Sequence, residues 1–188
     1  MNNIWKGKTI SLRAVEMSDL DDYFCNSCFM TNTDDHRNGD RSIFPRSKSL
    51  MADRVDKLSK INPYEEECFL IILDNDGKPV GNINTHSCNR IDGTFQYGVG
   101  VKSEYRGKGY ASEAIKLLLR FYFMELRYQK VETRVYSFNE ESIRLHEKLG
   151  FELEGVLRRS HYAFGKYHDV KCFGMTKEEF ESKHADYL

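Results

Sequence analysis

Apolar and polar residues alternate over residues 9–15 (TISLRAV), the two-residue period of a strand with one buried face. Ser18 then precedes acidic residues in SDLDDYFCNSCF (18–29), a helix-start pattern. Residues 31–48 are polar and charged and read as loop. From about Ser49, Met51, Val55 and Leu58 recur at helical spacing and predict a second helix. The apolar run CFLIIL (68–73) is a short strand, and DNDG (74–77) turns the chain into KPVGNINTHSC (78–88) as a hairpin. TFQYGVGV (94–101) is another strand, followed by YRGKGYASEAIKLLLRFYF (105–123), a glycine-rich basic turn opening a long helix. KVETRVY (130–136) is a strand, and NEESIRLHEKLG (139–150) a helix closed by Gly150. FELEGVLRRSHYA (151–163) and YHDVKCFGM (167–175) form a last strand pair across Gly165. Thr176 with Glu179 makes a capping box for a short final helix.

Hairpins first and β-α-β-α-β afterwards predict an α/β class in the mixed, α+β sense, with helices on both faces of a sheet. The 188 residues contain no repeat or linker-like stretch and are read as a single domain, 1–188. Hydrophobic residues are 40% and charged residues 30% of the chain, an ordinary globular balance. With 28 basic and 29 acidic residues the net charge is −1, so charge argues for neither nucleic acid nor a membrane surface. No apolar run approaches a membrane span, and MNNIWKGKTISLR lacks the apolar core of a signal peptide. Five cysteines, an odd number, argue against a disulfide framework, and the cytoplasm is the expected compartment.

The turn at the mouth of the long helix carries the first chemistry. A helix N-terminus offers unpaired N–H groups and partial positive charge. Arg106 and Lys108 add charge there, and Gly107 and Gly109 remove side chains, which makes a place for an anion such as phosphate. It is not a Walker loop, because no Gly-Lys-Ser/Thr follows at the required spacing. Nor does Ser112 satisfy the third glycine of a dinucleotide fingerprint. By itself R-x-x-G-x-A (Arg106, Gly109, Ala111) also fits a basic turn that merely caps a helix.

The second block, Asn139-x-x-Ser142-x-x-x-His146-x-x-x-Gly150-Phe151, follows the first at the spacing of a known family. Over residues 83–175 the chain resembles the GNAT superfamily of acyl-CoA N-acyltransferases. It looks most like the branch of ribosomal-protein N-terminal acetyltransferases. The resemblance implies a mixed, mostly antiparallel sheet splayed at the cofactor site, acetyl-CoA as cofactor with CoA as product, and no metal. It implies that the backbone from Arg106 to Ala111, through Gly107, Lys108, Gly109 and Tyr110, wraps the pyrophosphate. Val99 and Val101 would pair with the pantetheine arm like an added strand, the Val101 N–H polarising the thioester carbonyl. Asn139 would contact the same arm, although a helix N-cap is an equally good reading.

The implied reaction is direct attack by a neutral amine in a ternary complex, giving an N-acetylated product. It needs an oxyanion donor, a route for the amine proton and an acid for the departing thiolate. Many members of the family place a tyrosine where this chain has His146, so His146 is the candidate acid, against a structural histidine or an unaided thiolate. No carboxylate stands in 94–101. Gln96 would orient a water or the substrate, and Asp92, Glu132, Asp34, Asp35 and His36 remain base candidates.

Acceptor contacts are expected from Asp34 and Asp35 in the acidic stretch 33–40 and from Tyr162 on the last hairpin, which suit a cationic primary amine. The acceptor is a peptide N-terminus or a small-molecule amine, and a homodimer is compatible with the reading. Cys25-x-x-Cys28 has metal-ligand spacing but no second pair, so helix packing is preferred over zinc. The aromatic residues have no basic stripe beside them, which disfavours nucleic acid. The alternative function is a CoA-binding regulatory or interaction protein on the same fold, without catalysis.

Overall fold

A computed structural model of the chain describes residues 3–25 and 46–187. The described residues form seven strands: β1 (Ile10–Ala14), β2 (Phe69–Asp74), β3 (Pro79–Asn89), β4 (Thr94–Val101), β5 (Lys130–Tyr136), β6 (Glu152–Ala163) and β7 (Lys166–Thr176). They form one sheet in the order β1-β2-β3-β4-β5-β7-β6. The helices are α1 (Lys48–Ser59), α2 (Tyr110–Met124), α3 (Glu140–Leu149) and α4 (Lys177–Lys183). β1–β2, β2–β3, β5–β7 and β6–β7 are antiparallel, and β4–β5 is parallel. This is the mixed α/β class that the sequence pattern predicts, with the mostly antiparallel sheet that the family resemblance implies.

Local chemistry sets the element ends. The Ser47 hydroxyl accepts the Leu50 N–H at 3.1 Å and starts α1. Gly150 stops α3 in the left-handed region at φ +87°, where a side chain would be strained. Carbonyls at that end are met from far along the chain: Lys183 Nζ donates to Gly150 O at 2.7 Å, and His184 Nε2 to Leu149 O at 2.8 Å. The capping box at Thr176 and Glu179 is formed. The β6–β7 turn places Phe164 and Gly165 both at positive φ, +53° and +75°, the mirror-image turn that suits the twist of a two-residue hairpin.

The first helix begins where the sequence pattern places a helix start and is described only as far as Cys25. Within the described residues it is a single wide helical turn, Leu20–Cys25. Asp19, not Ser18, organises its start: the Asp19 carboxylate is held by both Arg13 guanidinium nitrogens at 2.7 Å and accepts the Glu16 N–H at 2.8 Å. Residues 26–45, which include Cys28 and the charged stretch, lie outside the described residues.

Contacts divide the chain into two compact units, residues 1–85 with 98–117, and residues 86–97 with 118–188. The core of the first gathers Val15, Tyr23, Phe24, Met51, Val55 and Ile71. Its Tyr23 hydroxyl donates to Asn82 Oδ1 at 2.7 Å. Lys102, almost wholly buried, donates to Asp22 O at 3.2 Å with its ammonium 5.0 Å from the Tyr23 ring. The second unit is built on Phe95, whose ring stacks on Tyr122 at 4.3 Å and meets Tyr128 edge-on at 5.3 Å.

Close backbone approach explains one glycine of β3. A Cβ on Gly81 would meet the carbonyl oxygen of Gly100 and stand 3.2 Å from Val101 Cα. Gly81→Ala is therefore expected to destabilise the protein by about 1–3 kcal/mol, the range for overpacking. Calorimetry should show a fall in Tm of roughly 2–12 °C for a chain of this size.

Candidate active site

The glycine-rich loop belongs to the first unit. Gly107 and Gly109 both lie in the left-handed region, at φ +77° and +84°, with open space where a Cβ would stand. A larger residue at either place would strain the backbone and fill the approach to the amides. The Glu113 N–H donates to Gly109 O at 3.0 Å, so helix α2 opens within the loop and aims its first amides out of it. Arg106 and Lys108 are exposed, and Arg106 Nε donates to Val101 O at 3.2 Å. That bond occupies the carbonyl of Val101 and does not engage its N–H.

A third cation joins them which sequence reasoning missed. Lys78, at the β2–β3 turn, has its ammonium 5.4 Å from the Tyr105 ring, and Lys108 lies 5.1 Å from the same ring. Its hydrogen bond to Tyr105 raises the Lys78 pKa above the ordinary lysine value. No local motif marks it, because the proximity comes from folding residues 27 positions apart, Lys78 and Tyr105, onto each other. Glu113 was missed for the same reason. Buried in the first turn of α2, its carboxylate accepts from the N–H groups of Lys8 and Thr9 and from the Thr9 hydroxyl, the Thr9 N–H at 3.0 Å. The opening turn of α2 is thereby fastened to residues 8–9.

Asn139 and His146 belong to the second unit. Asn139 caps α3: its Oδ1 accepts the Ser142 N–H at 3.1 Å. Capping consumes the oxygen alone, so the amide NH₂ keeps its donors. His146 is buried, with both ring nitrogens engaged. Nδ1 lies 2.6 Å from Ser142 O and can only donate there, so Nε2 is the acceptor, 2.7 Å from the Tyr97 hydroxyl. Burial lowers the His146 pKa, partly offset by the Ser142 carbonyl, while burial raises that of Tyr97 well above a free phenol. The pair is thus a neutral imidazole accepting from a neutral phenol. The expected acid role fits this geometry poorly, because an acid needs a releasable proton on a nitrogen that faces the leaving group.

Other sequence candidates are dispersed. Val99, Val101 and Gln96 lie partly buried on β4, whose parallel ladder to β5 covers only Thr94–Gln96 against Lys130–Glu132. Tyr162 is exposed on the last hairpin, edge-on to Tyr167 at 5.1 Å. Asp34, Asp35 and His36 lie outside the described residues. Among the described residues no group of three or more His, Cys, Asp and Glu is arranged for a metal, and no helix is long and apolar enough to cross a membrane.

Residues 9–152 match the model of the acetyltransferase (GNAT) domain, and the chain belongs to that family of acyl-CoA-dependent N-acetyltransferases. It is 45% identical over 183 residues to the SPbeta prophage-derived uncharacterized N-acetyltransferase YokL of Bacillus subtilis, covering 96% of this chain and 97% of that protein. It is 30% identical over 108 residues to the Bacillus subtilis protein named "Putative ribosomal N-acetyltransferase YdaF", covering 57% and 59% of the two chains. The crystal structure of a Vibrio cholerae spermidine N-acetyltransferase in complex with CoA and spermine shares the fold, with a TM-score of 0.78 at 23% identity over 91% of this chain and 97% of that one.

The His146 geometry fixes a pH dependence. A folded-state pKa below the ordinary 6.5 means that the unfolded chain binds the proton more readily. The contribution to stability is complete above about pH 6.5 and is lost as pH falls through the lower folded value. Tm should therefore decline on acidification through that window. His146→Leu should lower Tm at neutral pH, by stranding the Tyr97 hydroxyl, yet flatten the acid decline. An unchanged slope would show that His146 is not buried neutral.

Proposed function

We propose that the protein moves an acetyl group from acetyl-CoA to a primary amine. The observation that carries this reading is the loop: two left-handed glycines, three neighbouring cations at Lys78, Arg106 and Lys108, and the opening amides of α2. Such a set suits a pyrophosphate, which needs converging N–H donors and positive charge and no side chain in the way. Acetyl-CoA supplies an activated acyl group and a thiolate leaving group.

The remaining roles follow from what each group can donate. Residues 106–111 hold the pyrophosphate, with Tyr110 and Ala111 in the first turn of α2. Val99 offers its main chain to an extended ligand arm, since the ladder to β5 stops at Gln96. Arg106 engages the Val101 carbonyl, and the Val101 N–H polarises the acyl oxygen. Asn139 contacts the arm through its amide NH₂ while its oxygen caps α3. His146 acts as a strut that holds Tyr97 through a hydrogen bond, and the thiolate departs without an acid from it. Gln96 and Tyr162 serve the acceptor, a cytoplasmic small-molecule or peptide amine, and Asp34 and Asp35, outside the described residues, are assigned to its electrostatic capture. Self-association of the chain is part of the same reading. Similarity to proteins named N-acetyltransferases favours catalysis over a purely regulatory CoA binder.

Acetyl-CoA at about a hundred times its Kd should stabilise the fold by about 2.7 kcal/mol, a rise in Tm of roughly 5–10 °C. Gly109→Trp should fold and lose that response, because the side chain would stand where the anion must approach the amides. A full response from the folded variant would overturn the loop assignment. Free-thiol release should then be followed across peptides with unblocked N-termini, polyamines and aminoglycosides.

The acidic stretch gives a separate measurement. Asp34→Asn with Asp35→Asn should raise KM for the amine several-fold and leave KM for acetyl-CoA unchanged. An unchanged amine KM across a range of salt would remove that stretch from the acceptor site.

A further inference from the structure

Strand β3 lies inside the sheet, between β2 and β4, and carries asparagine at two alternate positions, Asn82 and Asn84. Asparagine is a poor strand residue, and an amide on a covered sheet face needs partners. Across from these two residues β4 has Gly98 and Gly100. The strands meet in antiparallel register. The Lys102 N–H donates to Val80 O at 2.9 Å, and a Cβ on Gly100 would stand 3.4 Å from Asn82 Oδ1. A Cβ on Gly98 would stand 3.0 Å from Asn84 Oδ1. Neither glycine has left-handed backbone, so conformation does not call for it. What each glycine leaves room for is the amide opposite.

The two amides differ in what holds them. Asn82 is buried, and its Oδ1 accepts the Tyr23 hydroxyl at 2.7 Å. Lys102 shares the face of Gly98 and Gly100 and closes that end of the strip, its ammonium on Asp22 O and beside the Tyr23 ring. Asn84 is half-buried, and among the described residues its side chain makes no hydrogen bond. Its oxygen is turned toward β4, with Nδ2 farther off, 3.9 Å from the same point over Gly98. An amide oxygen in that setting is placed to accept from a donor that a ligand brings.

The strip runs over residues 98–101, the stretch of β4 on which the proposed acetyl transfer puts the thioester. We propose that Asn84 holds the attacking amine: its Oδ1 accepts one amine N–H above Gly98 and turns the nitrogen lone pair toward the acyl carbon. This rests on the acetyl-transfer reading and adds a residue that touches the acceptor. The lone pair forms the N–C bond, and the C–S bond breaks with its electron pair leaving on sulfur. One proton leaves the nitrogen and returns to the thiolate through solvent. Asn84 takes no proton, because an amide oxygen is not a base at neutral pH; its part is orientation. With the Lys102 ammonium at one end and no carboxylate among residues 82, 84, 98, 100 and 102, the strip favours a neutral amine over an ammonium.

Steady-state kinetics with acetyl-CoA test it, using ethylamine at high concentration, spermine and an alanine-initiated peptide as acceptors. Asn84→Leu keeps the volume and removes the oxygen. It should lower kcat/KM for the amine roughly 10²-fold, the scale of a misplaced reactant, and leave KM for acetyl-CoA unchanged. The rise in Tm with acetyl-CoA should match that of the wild type. Asn84→Asp restores an oxygen at the same place and should recover most of the lost activity. Asn84→Ala separates the oxygen from bulk, and stands in if the leucine variant fails to fold; it should lose activity as leucine does. Wild-type kinetics in the alanine variant would overturn the assignment. So would an equal loss in the leucine and aspartate variants, or a loss accompanied by weaker acetyl-CoA binding. Thiol release from the wild type with none of the three amines would overturn the acetyl-transfer reading, and this inference with it.

Discussion

The stacking of Phe95 on Tyr122 fixes the start of β4, the strand on which the roles proposed for Gln96, Val99 and Val101 fall. Phe95 is fully buried, held face-on by Tyr122 and edge-on by Tyr128 and Phe123. Because side chains alternate along a strand, burying Phe95 sends Gln96 to the opposite face and returns Tyr97 to the face of Phe95. Tyr97 then finds His146, and its phenol is removed from water. Only three residues of β4 are needed to pair with β5, and the strand runs on to Val99 and Val101 with its main chain outside that ladder.

Two electrostatic regimes coexist in one chain. The loop gathers exposed cations, whose mutual repulsion is modest in water and which gain most when a dianion arrives. The Tyr97–His146 pair is the reverse, two titratable groups that burial keeps uncharged. A neutral hydrogen bond in a dry interior costs little to keep and much to break, which suits a strut better than a proton relay.

Elements whose ends are set by neighbours in sequence were legible in advance. β4 and β5 fall where alternation placed them, Gly150 closes α3, and the capping box at Thr176 and Glu179 is formed. The loop glycines were legible for the same reason, since left-handed backbone needs no distant partner. What depended on distant residues was not. Arg13 captures Asp19, Lys78 folds against Tyr105, and Glu113 reaches back to Lys8 and Thr9. His146 shows the limit most clearly. Its position in the pattern suggested an acid, while burial lowers its pKa and its Nε2 meets the hydroxyl of Tyr97, 49 residues away. Gly165 announces the last turn, but nothing in the sequence announces the left-handed backbone of Phe164 before it; contacts with Phe138 and His168 accompany the strain.

The distant bonds at the end of α3 bear on how the protein is made. The carbonyls of Leu149 and Gly150 are met by His184 and Lys183, 35 and 33 residues later. During synthesis the helix that carries Asn139 and His146 leaves the ribosome before the groups that finish it. At typical elongation rates that gap lasts roughly 2–7 s. For that interval the carbonyls of Leu149 and Gly150 have only water to meet them, so the end of α3 is completed last.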